Sequence, residues 1–227
     1  MQIRRQFFRK TLMLGAGLLL AAGAIAAPNT PKAGVEYKVL GKPQPTEAGK
    51  KIEVIEFFGY FCPHCNALDP MLEAWLKKQG DKIVFKRVHV GFHGLTNQQK
   101  LYATLDIMGK LGTHHVKAFN AYHVERNRLQ SEADVMKFVA ASGLDQQKFK
   151  EVFNSFGVTG KIGRYNQLLN DYQIDSVPTI AIDGRFVTSP VQAVSTIGRV
   201  TEDEQNRAVL VVMDQLVNMV AKEKGLK

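Results

Sequence analysis

Only two cysteines occur in 227 residues, Cys62 and Cys65, and they stand together in Phe57-Phe58-Gly59-Tyr60-Phe61-Cys62-Pro63-His64-Cys65. A pair spaced in this way is a structural bridge, half of a zinc site, or a redox couple. As a staple it is poor, because closing so small a loop removes little entropy from the unfolded chain. Four-ligand structural zinc needs two more ligands, and His89, His93, His114, His115 and His123 show no paired spacing that would supply them. The surroundings favour the redox reading.

Those surroundings run from strand to helix. Ile52 to Phe58 is an apolar, β-prone run interrupted only by Glu53 and Glu56, and it ends at Gly59. Beyond the pair, Leu68, Met71, Leu72, Trp75 and Leu76 recur at helical spacing, and Pro63 suits the first helical position, where its missing N–H costs nothing. Cys62 is therefore expected at a helix N-terminus. Unpaired N–H groups and the positive end of the dipole there favour thiolate over thiol. His64 adds a donor, or a charge when protonated, unless it is simply a solvated loop residue. Cys62 is expected to be largely ionised near neutral pH and its disulfide strongly oxidising, with the more buried Cys65 as resolving thiol.

Glu56-Phe57-Phe58 followed by Phe61-Cys62-Pro63-His64-Cys65 resembles the DsbA family of thiol:disulfide interchange proteins. The Pro-His dipeptide between the cysteines differs from the Gly-Pro of thioredoxin and the Gly-His of protein disulfide isomerase. The resemblance implies a thioredoxin-like α/β fold with an inserted helical domain, whose acid in the strand before the motif, here Glu56, is buried and exchanges a proton with Cys65. It also implies that Val177-Pro178 is a cis dipeptide facing the redox pair and offering its backbone to an extended substrate. Reduced exported proteins would be the substrates, and a DsbB-type quinone-linked membrane protein the reoxidant. No cofactor beyond the redox-active intrachain disulfide is implied.

The order of the chain fits that scheme. Arg4, Arg5, Arg9 and Lys10 precede an apolar run from Leu12 to Ala22 and then Ala24-Ile25-Ala26, so residues 1–26 read as a secretory signal peptide delivering the protein to the periplasm. Arg4-Arg5-Gln6-Phe7-Phe8-Arg9 also looks like a twin-arginine export signal, and the ordinary basic segment is the favoured reading of the two. Cleavage after Ala26 leaves 201 residues with a formal charge of +5, since four basic residues and no acids are lost. Dispersed charge of that size gives no reason to expect nucleic acid as a partner.

Residues 27–34 read as a lead-in, with an edge strand near Tyr37 to Leu40. Residues 35–94 and 173–227 are assigned to the thioredoxin-like domain, and 95–172, helical throughout, to the insert. The lead-in is too short for a dimerisation domain, so a monomer is expected. Pro70 is expected to kink the redox helix. In Ile83 to Val90, Arg87 and His89 share a face and are read as solvated strand residues. His114, His115 and His123 show no carboxylate or cysteine partner at ligand spacing, so no metal is expected. Phe149, Val152, Phe153 and Phe156 are read as one helix ending at Gly157. Asp183-Gly184 signals a hairpin, Thr201 and Glu204 form a capping box for a last helix, and Val191 to Val200 is only a connection. Three other uses of such a chain remain: a disulfide isomerase or reductase, a peptide-binding chaperone, and a glutathione-dependent isomerase of small molecules.

Overall fold

The computed structural model describes residues 30–226, so the signal peptide read over 1–26 lies outside the described residues. Five strands form one mixed sheet in the order β1-β5-β4-β2-β3, from β1 (Lys38–Val39), β2 (Ile52–Phe58), β3 (Ile83–His89), β4 (Thr179–Ile182) and β5 (Phe186–Thr188). β2 is central, parallel to β3 and antiparallel to β4, and every one of its residues is buried. Two covered faces explain why it reads as a nearly continuous apolar run.

The helices cover those faces unequally. On one side α1 (Pro63–Gln79) and α8 (Glu202–Glu223) enclose Ile52, Val54, Leu68, Leu72 and Trp75 with Val209, Val212, Met213 and Leu216. Each such side chain contributes about 1.5–3 kcal/mol through burial. Trp75 Nε1 donates to Asp214 at 2.8 Å and ties the two helices together. On the other side lies the helical insert between β3 and β4: α2 (Thr96–Ile107), α3 (Leu111–His123), α4 (Glu132–Ser142), α5 (Gln146–Phe153) and α6 (Phe156–Asp171). Its joint to the sheet is aromatic, Phe58 packing against Tyr102 and His115 with ring centroids 5.1 and 5.2 Å apart. Offset and edge-to-face pairs at these distances add to simple burial.

Local signals hold at the element ends. Ser131 and Asp134 close a capping box on α4, which stops at left-handed Gly143, and Thr201 with Glu204 does the same for α8. Asp183 and Gly184 both take positive φ in the turn joining β4 to β5, as a tight hairpin requires, and a Cβ on Gly184 would run into the Gln44 carbonyl. α1 runs through Pro70 as one helix.

Three expectations need correction. Phe156 does not end α5; Ser155 caps a new helix there, and Phe156 stands 95% exposed at its start. Val191 to Val200 is more than a connection, since it includes most of the short α7 (Pro190–Ala193), whose Ser189 cap accepts from Gln192 N–H. Arg87 and His89 are not solvated, because Arg87 reaches Asp69 of α1 and His89 packs against Tyr102 of the insert rather than facing water.

Candidate active site

β2 ends in a turn at Gly59, where a Cβ would meet the Phe61 ring and force it to shift. The turn delivers Cys62 to the N-cap of α1 with Pro63 in the first turn. There the Cys62 sulfur does what an N-cap side chain does, accepting the Cys65 backbone N–H at 3.2 Å. Cys62 is 4% exposed and Cys65 fully buried, both as free thiols.

Their environments separate them. Hydrogen bonding from the Cys65 side chain, opposed by burial and joined by the Cys65 N–H and the His64 charge, brings Cys62 down to about 7. Burial, and then the hydrogen bond and charge of Cys62 and the charge of Glu56, hold Cys65 well above the ordinary thiol range. Cys62 is thus about half ionised at neutral pH, less than its helix position alone suggests, because desolvation works against the charge.

His64 is exposed, and its Nδ1 lies 2.5 Å from Glu202 Oε1 at the start of α8. On the other side of Cys62, its Sγ–H donates to the Val177 carbonyl at 3.5 Å, and the Val177-Pro178 bond is cis. Beside them opens a groove of about 510 Å³ walled by Val177, Pro178, Pro190 and Val191, with His64 and Glu202 at one side.

Beneath the pair lies a polar cluster of which the sequence reading found one member. Glu56 is buried, and that burial raises its carboxyl despite the Arg87 ion pair at 2.7 Å. Arg87 Nη2 also reaches Asp69 and Glu73 of α1, each at 2.9 Å. Asp69 in turn lies 3.2 Å from His115 Nε2, and His115 Nδ1 lies 3.2 Å from the Tyr60 hydroxyl. Burial pushes Asp69 up, but the His115 hydrogen bond and the charges of His115 and Arg87 hold it below its ordinary value. His115 therefore has the carboxylate partner that sequence spacing did not show. Asp69 and Tyr60 were missed as well. The available signal was an acid at a helix position otherwise on the apolar face of α1.

A dithiol so divided, one sulfur ionisable near neutrality and the other held protonated, on this sheet and beside this groove, is the working centre of a thiol:disulfide oxidoreductase. The thioredoxin family model matches residues 45–199. The thiol:disulfide interchange protein DsbA of Burkholderia cepacia is 41% identical over 191 residues, 83% of this chain and 89% of that protein. That of Pseudomonas aeruginosa is 34% identical over 180 residues, 78% of this chain and 85% of that protein. The crystal structure of Pseudomonas aeruginosa DsbA superposes with a TM-score of 0.75 at 29% identity, covering 85% of this chain and 96% of that one. The chain belongs to the DsbA family of thiol:disulfide interchange proteins.

Proposed function

We propose that the protein is a periplasmic dithiol oxidase that donates a Cys62–Cys65 disulfide to newly exported proteins. The observation that carries this is the division of the two thiols: Cys62 capping α1 and lowered to about 7, Cys65 buried and raised. A thiol that ionises easily leaves easily, and a fold that stabilises its thiolate favours the reduced enzyme, which makes the disulfide an electron acceptor.

In the oxidised enzyme a substrate thiolate attacks Cys62 Sγ. The new S–S bond forms as the Cys62–Cys65 bond breaks, and Cys65 leaves with the electron pair and takes up a proton, for which the raised Glu56 carboxyl is the nearby donor in this reading. A second substrate thiolate then attacks the substrate sulfur of the mixed disulfide and expels the Cys62 thiolate. Two electrons have passed to the enzyme, and the substrate holds a disulfide. The Val177 carbonyl offers an extended client a backbone acceptor beside Cys62. The cycle closes when a quinone-linked membrane protein of the DsbB type takes the two electrons and restores the Cys62–Cys65 bond. The intrachain disulfide is the redox group, and the leading 26 residues direct the chain to the periplasm.

The test is a reduced, disulfide-requiring protein mixed with stoichiometric oxidised enzyme. Cys62→Ser should abolish its oxidation, and Cys65→Ser, given the client in its disulfide form, should accumulate the mixed disulfide made when the Cys62 thiolate attacks that bond and displaces one client thiolate, because no Cys65 is present to resolve it. Stoichiometric oxidation by the Cys62→Ser protein would overturn the mechanism.

A further inference from the structure

The first turn of α8 carries three acids in succession, Glu202, Asp203 and Glu204, and each has a different partner. Glu204 closes the capping box: its carboxylate accepts the Thr201 backbone N–H at 2.5 Å, and Thr201 Oγ1 accepts the Glu204 N–H at 3.3 Å. Asp203 accepts from Arg207, one turn along the helix, at 2.7 and 3.3 Å. Glu202 takes part in neither arrangement. Its Oε1 instead meets Nδ1 of His64, on the first turn of the redox helix and 138 positions away in sequence.

The helix does not need that contact. Its cap is complete without Glu202, and acids near an N-terminus contribute only about 0.3–1 kcal/mol each through the dipole, which Asp203 and Glu204 already supply. Nor is it a staple between α1 and α8. The His64 and Glu202 side chains are 68% and 47% exposed, and exposed ion pairs contribute roughly 0–1 kcal/mol. What the contact does alter is the charge two residues from the Cys62 sulfur.

We propose that Glu202 is a positioning residue for thiol–disulfide exchange: it holds the His64 imidazolium beside Cys62 at the mouth of the groove and so stabilises the Cys62 thiolate and the reduced enzyme. This rests on the reading of Cys62 as the exchanging thiol. With Nδ1 engaged by a carboxylate, Nε2 alone is left to face solvent or an incoming anion. The coupling between His64 and Cys62 is reciprocal, and Glu202 acts on it from the His64 side. The Glu202 hydrogen bond, opposed by partial desolvation and aided by the charges of Glu202 and Cys62, raises His64 above its ordinary value, and the His64 charge helps lower Cys62.

The groups able to modify this are few. Lys38 from β1, His64 from α1 and Glu202 from α8 are the titratable side chains that line the groove, and the walls contributed by the segments before β4 and around α7 carry no charge. Cys65 meets Cys62 from inside the fold, and Glu56 acts there on Cys65. Changing Glu202 to glutamine therefore changes the charge at the groove mouth while leaving the capping box and the buried cluster intact.

The experiment follows the Cys62 thiolate absorbance of the reduced protein across pH, and the equilibrium with glutathione, in the parent, Glu202→Gln, His64→Ala and the double variant. Glu202→Gln should move the Cys62 midpoint upward and shift the glutathione equilibrium towards the enzyme disulfide by up to about five-fold, the most that an exposed ion pair can transmit. In the His64→Ala background the same change should add nothing, because the coupling passes through the imidazole. An effect of Glu202→Gln that persists undiminished without His64 would overturn the proposal. So would unchanged readouts for Glu202→Gln where His64→Ala moves them, with the role of His64 left standing. Should His64→Ala move neither readout, the reading of His64 fails together with this one, while exchange through Cys62 is judged separately by Cys62→Ser.

Discussion

His89 Nε2, at the end of β3, accepts the backbone N–H of Tyr60 at 3.0 Å, and so the sheet holds the turn that presents Cys62. Its Nδ1 lies 2.9 Å from the Val90 carbonyl. A carbonyl only accepts and an amide N–H only donates, so the ring must be neutral with its proton on Nδ1. Protonating Nε2 would set two donors against each other at a fully buried site.

The first prediction is an acid sensitivity that belongs to this residue. Burial lowers His89 from 6.5 to about 3. Between those values the unfolded chain binds more protons than the folded one, so the stability contribution is full above about pH 6.5 and is lost as pH falls towards 3. On the order of 2 kcal/mol should disappear between about pH 7 and about pH 5 in urea unfolding. His89→Gln, which keeps an acceptor and a donor without titrating in this range, should flatten that slope. A slope unchanged by the substitution would contradict the neutral, Nδ1-protonated assignment.

Arg87 should matter more to stability than its place on a strand suggests. Among the described residues it is the one cation joined to all three of Glu56, Asp69 and Glu73, two of them buried. Removing one partner of a buried ion pair leaves uncompensated charge, and Arg87→Met should cost about 3–5 kcal/mol by denaturant unfolding. Arg87→Lys keeps the charge but cannot fork to three carboxylates, and should recover only part of the loss. A cost near that of a surface substitution would mean that the cluster relaxes onto water.

The same residues show where sequence legibility stops. Cys62, Pro63 and Cys65 were readable because an N-cap, a first-turn proline and a short spacing are local. Val177-Pro178 was found through its family resemblance, and the capping boxes of α4 and α8 depend on residues three apart. The polar cluster has no such local signature. In β3 the pattern puts Arg87 and His89 on one face but does not say what covers that face, and the answer, α1 and the insert, is a matter of tertiary packing. Asp69, His115 and Tyr60 meet across α1, α3 and the turn after β2, at sequence separations that no spacing rule spans. α7 was partly legible, since Ser189-Pro190 is a cap followed by a first-turn proline, but a four-residue helix leaves no periodicity to confirm it.

Alkylation should distinguish the two thiols sharply. The nucleophile is the thiolate, so modification of the reduced protein should rise with a midpoint near the value of about 7 for Cys62. Cys65, fully buried and raised, should stay unmodified through the same range. Mass mapping of the adducts with time checks both statements, and early labelling of Cys65 would reverse their assigned roles.

Glu56 can be separated from Cys62 by its kinetics. When the disulfide is attacked, Cys65 departs into a buried site that disfavours its anion, and the raised Glu56 carboxyl is the acid proposed to supply the proton. Glu56→Gln removes that proton and also removes the negative charge that helps raise Cys65. The first effect slows formation of the mixed disulfide, whereas the second makes Cys65 a better leaving group. If proton delivery limits the step, stopped-flow reduction by a peptide thiol should slow by up to about 10²-fold, the low end of general acid–base effects. The Cys62 midpoint should stay in place, since Glu56 is not among the main influences on that sulfur. A faster reaction in Glu56→Gln would show that charge repulsion outweighs proton supply, and would assign Glu56 to setting the Cys65 pKa alone.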